Sequence, residues 1–250
     1  MKRKTYKVDF KGVYVLTAFS IYFGFFFVVH IIFNLLSQPN GFEKDYSYIY
    51  LILKEYSFVI LICLLIGYFY TLPNAIRIEI FKRSKSTFAH DVKVGVICAI
   101  FSYLLMQVCS FLFYFIMTHI FDITLFPDQI VVEYLKAAKD NLVSFIAVIS
   151  SIIFFVPIIE ELLFRGFLQT WLKKKFNVTI AIIISSFFFS ILHFSIFQGW
   201  SNLIIVGMLF LLSIFIGVLY EREKSLVPVI ILHILFNSIS LLNLFFVKEI

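Results

Sequence analysis

Polar side chains that hydrocarbon would exclude sit inside apolar runs in the second half of this chain. Glu160, Glu161 and Arg165 share one run, His193 lies in the next, and His233 and Asn237 lie in the last. Ionisable groups inside membrane helices are costly and face the bundle interior. Their depths can be compared through the helical rise. Glu160 is ~20 Å from Lys173, His193 ~22 Å from Val178, His233 ~13 Å and Asn237 ~20 Å from Lys224. Three helices therefore bring a carboxylate, two imidazoles and an amide to similar depth.

Angular spacing sorts these residues. Neighbours on a helix point about 100° apart, so Glu160 and Glu161 are expected to have separate targets. Glu161 and Arg165 are four apart in the order that favours an ion pair. Glu160 is then left facing the interior. His233 and Asn237, also four apart, project from one face. Phe189, four before His193, is placed to wall the imidazole. The chemistry this suggests is hydrolysis. A carboxylate in a low-dielectric pocket is a competent base, an imidazole beside it orients the same water, and a second imidazole with an amide N–H steadies an oxyanion. No GxSxG, HExxH or Walker pattern is present in the sequence.

The elements that must position these groups follow from composition. Of 250 residues, 62% are hydrophobic and only 14% charged, against about 25% charged in a soluble domain. A soluble protein of this size has no core large enough for so much apolar surface, and disorder needs the opposite balance. The fold expected is all-α, a polytopic transmembrane helix bundle of about seven spans. The spans are placed at Val13–Leu36, Tyr56–Leu72, Val94–Ile120, Leu142–Trp171, Val178–Phe197, Leu203–Tyr220 and Leu226–Val247. The first follows Met1-Lys2-Arg3-Lys4 like a signal peptide, but it is too long and no small-residue cleavage site follows it, so it reads as a retained span. Two regions are expected: an N-terminal membrane region, 1–141, with about three spans and no motif, and a core, 142–245.

The formal net charge of +6 is not a nucleic-acid footprint, because the basic residues cluster between apolar runs. Lys2, Arg3, Lys4, Lys7 and Lys11 precede the first span. Arg77, Lys82, Arg83, Lys85 and Lys93 follow the second, Lys173, Lys174 and Lys175 the fourth, and Arg222 and Lys224 the sixth. The alternate connections are poorer in Lys and Arg. The positive-inside rule then puts the N-terminus in the cytoplasm of a multi-pass cell-membrane protein, with the lipid bilayer as its surroundings and no nucleic-acid partner. Cys63, Cys98 and Cys109 all lie in apolar runs, an odd set that suits neither a disulfide framework nor a zinc site. His30 and Asn34, four apart in the first span, read as a pair bonding neighbouring helices.

Glu160-Glu161-Leu-Leu-Phe-Arg165 matches EExxxR, Phe189-Ser-Ile-Leu-His193 matches FxxxH, and His233-Ile-Leu-Phe-Asn237 matches HxxxN. In this order on successive late spans, they resemble the CPBP family of intramembrane endopeptidases: Rce-type CAAX prenyl proteases, bacteriocin-processing enzymes and Abi-type immunity proteins. The resemblance covers roughly Leu142 to Leu244. It implies that Glu160 is the general base with His193, that His233 and Asn237 form an oxyanion hole, and that Glu161, Arg165 and Phe189 support them. No cofactor is favoured. The alternative is a metal-dependent reaction with a divalent ion such as Zn²⁺ held by Glu160, His193 and His233. The expected partner is a peptide or protein substrate: a bacteriocin, a pheromone or a CAAX-like tail. An Ile/Phe/Lys-rich composition suggests a low-GC bacterium, hence a bacterial plasma membrane and a small peptide. Two other functions compete: a non-catalytic immunity or scaffold protein, as in bacteriocin self-immunity, and a proton-coupled transporter.

Overall fold

The computed structural model describes residues 9–36, 44–123, 130–195 and 199–248. Its regular elements are helices: α1 (Gly12–Leu36), α2 (Lys44–Thr71), α3 (Asn74–Phe81), α4 (Phe88–His119), α5 (Ile130–Ala138), α6 (Leu142–Leu172), α7 (Val178–Ile191), α8 (Ser201–Glu223) and α9 (Leu226–Lys248). Among the described residues the only extended pairing is one bridge between Lys82 and Ser225. Helices α1, α2, α4, α6, α8 and α9 are long and apolar enough to cross a membrane, and α7 is apolar but shorter. The chain is a polytopic helical membrane protein. Lys2, Arg3, Lys4 and Lys7, and the Asn34 side chain, lie outside the described residues.

Two expectations need correction. The fifth span was expected to reach Phe197, but α7 stops at Ile191. Its 14 residues rise only ~21 Å, so His193 sits in the turn beyond the helix rather than within it. The basic stretch after the second span was expected to be loop. It contains α3, whose Ile76 and Ile80 are buried.

Local chemistry starts and stops these helices. Thr87, Asn141 and Asn177 are side-chain caps for α4, α6 and α7; each oxygen accepts from the backbone N–H three residues on. Lys224, at φ 53°, turns the chain out of α8 and straight into α9. Where helices touch closely, glycine makes room. A Cβ on Gly95 of α4 would lie 2.8 Å from the Pro228 carbonyl of α9.

Helix α6 is central, touching α1, α2, α3, α5, α7, α8 and α9. It is also irregular. Ser151–Phe155 and Leu162–Gln169 are π-helical and flank an α-helical Val156–Glu161. Pro157 accounts for the first: it has no N–H, and its ring clashes with the carbonyl four residues back. The Val156 N–H reaches Ser151 O, a five-residue step. In the second, the Thr170 hydroxyl donates to Arg165 O at 3.0 Å.

The basic end of the bundle is fastened by ion pairs. Fully buried Asp91 accepts from Lys82 Nζ at 2.7 Å, Ser86 Oγ at 2.5 Å and Ser225 Oγ at 3.0 Å. Lys173 pairs with Glu221 at 2.7 Å and Lys174 with Glu79 at 2.6 Å. Tyr220 donates to Ile80 O at 2.7 Å. These contacts join α3 and α8 to the end of α6.

Candidate active site

The short α-helical stretch between the two π-helical segments carries Glu160 and Glu161. Glu160 is 8% exposed; Glu161 and Arg165 are wholly buried. Glu160 Oε1 lies 3.4 Å from His193 Nε2, and its Oε2 lies 3.7 Å from His233 Nε2. Glu161 Oε1 accepts from His233 Nδ1 at 2.7 Å. Its Oε2 lies 3.3 Å from Arg165 Nε, the expected four-residue ion pair. Arg165 Nη2 donates onward to Ser213 of α8, to the carbonyl at 3.3 Å and the hydroxyl at 3.1 Å. The two glutamates do meet a common partner, contrary to the angular expectation. The imidazole of His233 carries nitrogens on opposite edges, so one ring bridges two carboxylates that point apart.

His193 is oriented locally. Its backbone N–H donates to Ser190 O at 3.1 Å, and its Nδ1 donates to Phe189 O at 2.9 Å, since a carbonyl can only accept. That leaves Nε2 to face Glu160. Phe189 is fully buried and walls the site as expected: its ring lies 5.0 Å from that of His193, 6.0 Å from that of His233 and 5.0 Å from the Arg165 guanidinium. The loop past His193 is tied down by Asn202 of α8. Its Oδ1 accepts from Ser195 N–H at 2.9 Å, and its Nδ2 donates to Ser195 O at 2.5 Å. Asn202 was not singled out in the sequence. Its signal there is a buried amide at a helix start, one short loop from the histidine.

Asn237 lies one turn beyond His233 and donates from Nδ2 to Ile152 O at 2.9 Å. Pro157 explains why that carbonyl needs a donor. Continuing the five-residue step of Val156 to Ser151, position 157 would donate to Ile152, and proline cannot. One amide N–H of Asn237 replaces the missing backbone donor. An asparagine amide has two, so the second is uncommitted to Ile152.

Charge arithmetic constrains the cluster. Two carboxylates against one guanidinium leave a formal charge of −1, which one protonated imidazole cancels. His233 lies between both carboxylates, and His193 Nε2 faces Glu160 Oε1. Among the described residues no three His, Cys, Asp or Glu side chains form a metal-ligand set.

The family model for type II CAAX prenyl endopeptidases, Rce1-like, matches residues 142–239. No curated protein and no solved structure matches the chain. The matched interval starts with α6 and contains Glu160, Glu161, Arg165, Phe189, His193, His233 and Asn237; it excludes α1 to α5. In this segment, α6 to the greater part of α9, the chain is similar to the Rce1-like family of type II CAAX prenyl endopeptidases.

Proposed function

We propose that the protein is an intramembrane endopeptidase that hydrolyses a peptide bond in a membrane-associated peptide, without a metal. The observation that carries this reading is the Glu160 carboxylate, buried, and faced at 3.4 Å and 3.7 Å by two imidazole nitrogens. Glu160 takes a proton from water as the water oxygen attacks the scissile carbonyl carbon, and His193 holds that water. The oxyanion accepts from His233 Nε2–H, with Glu161 holding Nδ1 on the other edge of the ring, and from the second N–H of Asn237. The carbon–nitrogen bond breaks as the proton passes from Glu160 to the leaving amine. Arg165, through Glu161, keeps the His233 ring in place.

In this reading residues 142–245 are the catalytic core and 1–141 an N-terminal membrane region. The N-terminus and the basic end lie in the cytoplasm of a cell membrane, and the substrate is a bacteriocin, a pheromone or a CAAX-like tail. The test is comparative peptidomics of cells carrying the wild type or Glu160→Ala, with and without a chelator. Peptides released only by the wild type, chelator or not, support metal-free hydrolysis. Loss of release with chelator would instead place a divalent ion on Glu160, His193 and His233. A phenotype that survives Glu160→Gln but disappears when the whole chain is deleted would replace hydrolysis with an immunity role.

A further inference from the structure

Helix α1 lies outside the matched interval and carries no motif, yet its register against α6 reaches the site. A Cβ on Gly12 would lie 3.2 Å from the Trp171 ring, and Phe19 meets Phe164 edge-on at 5.5 Å. Advancing along α1 from Gly12 to Phe19 retraces α6 from Trp171 to Phe164, the same number of residues. The helices therefore run antiparallel, and one further turn puts Tyr22 and Phe23 level with Glu160. Val15, Ala18 and Tyr22 follow the 3–4 spacing of one helix face. Val15 and Ala18 are buried on it, whereas Phe23 is 49% exposed on another. The Tyr22 ring is fixed against Phe26 at 4.9 Å, and the Glu160 carboxylate acts electrostatically on its phenol. Among the described residues the Tyr22 hydroxyl has no hydrogen-bond partner. A phenol in a membrane interior ordinarily finds one.

We infer that Tyr22 is a positioning residue of the hydrolytic site: its hydroxyl donates to the oxygen of the water that Glu160 deprotonates, fixing the lone pair that attacks. This rests on the hydrolytic reading above. It also gives α1 a function that the late motifs do not supply. A phenol suits the task because its O–H stays protonated at neutral pH, so it orients the water without competing for the water's proton. The rigid ring loses little rotamer freedom in doing so.

Tyr22→Phe keeps the ring packing and removes only the hydroxyl, so it is the informative variant; Phe23→Leu is the control on the same turn. The substrate is a synthetic copy of the peptide that wild-type cells release and Glu160→Ala cells do not, cleaved by the full chain in proteoliposomes. Tyr22→Phe is expected to lower kcat about 10- to 100-fold, the scale of a misplaced reactant, with KM and melting temperature unchanged. Phe23→Leu is expected to leave kcat as it is. In the full chain labelled with ¹³Cζ-tyrosine in micelles, Glu160→Gln should move the Tyr22 resonance. An unmoved resonance, or Glu160-dependent cleavage with full kcat in Tyr22→Phe, overturns the assignment of Tyr22 alone. If wild-type and Glu160→Ala cells release the same peptides, the hydrolytic reading fails and the role of Tyr22 fails with it.

Discussion

Two acidic clusters lie in this molecule, and they are built differently. At the basic end Asp91, Glu79 and Glu221 each touch a lysine ammonium, at 2.7 Å, 2.6 Å and 2.7 Å. In the membrane cluster Glu161 touches the Arg165 guanidinium as well as the His233 imidazole, whereas both contacts of Glu160 are imidazoles and neither is a permanent cation. An ammonium ordinarily titrates near 10.4 and an imidazole near about 6.5. The lysine pairs therefore hold one protonation state at neutral pH and act as fasteners. Glu160 faces the one class of partner that exchanges protons readily there. Among the described residues, the absence of a permanent cation in contact, rather than acidity or burial, separates Glu160, the base of the proposed reaction, from the fastened carboxylates.

The largest expected effects come from neutralising one acid in each cluster. Glu160→Gln is near-isosteric and removes the proposed base; peptide cleavage should fall about 10³-fold with the melting temperature in micelles unchanged. Asp91→Asn should do the reverse. It leaves Lys82 without its counter-charge and should lower stability by about 1–3 kcal/mol, with kcat per folded molecule unchanged. Equal losses of kcat in the two variants would break the distinction.

Next in size is the Glu161–Arg165 pair. Both side chains are wholly buried, and removing one member of such a pair costs about 3–5 kcal/mol because the other is left uncompensated. Arg165→Leu should destabilise by that amount in urea titrations of micellar protein. Adding Glu161→Gln should recover more than half of it, since the stranded charge is then gone. A double variant no more stable than Arg165→Leu would show that the guanidinium serves through Ser213 rather than through Glu161.

Much of this site was legible because its spacings are local. Glu161 to Arg165 is a one-turn relation on α6, and Phe189 to His193 keeps its four-residue contact although His193 lies just past the end of α7. The depth comparison also brought Glu160, His193 and His233 together, because parallel rods conserve height. What escaped were features made by tertiary contact or backbone irregularity. The bridging of both glutamates by His233 depends on which edge of the ring meets α6. The short α7 was hidden because Phe194 to Phe197 continue the apolar composition past the last helical turn. Helix α3 was masked by its charges. Tyr22 is one aromatic among 34 Phe and 13 Tyr, and only the register of α1 on α6 distinguishes it.

Pro157 was visible and carried more meaning than its position suggested. A proline inside a span announces an unsatisfied carbonyl, and the structure shows which side chain meets it: Asn237, on Ile152 O. Asn237 therefore has two separable duties, one N–H for the backbone and one for the proposed oxyanion. Asn237→Leu should destabilise the protein by about 1–3 kcal/mol, the cost of an orphaned buried acceptor, and should also slow cleavage. Pro157→Ala restores a backbone N–H that can reach Ile152 O in the same five-residue step. In that background Asn237→Leu should destabilise by about 1 kcal/mol less, while the loss of rate stays the same. Equal destabilisation in both backgrounds would mean that α6 does not keep its π-helical turn without proline. Recovery of rate along with stability would confine Asn237 to holding the helix.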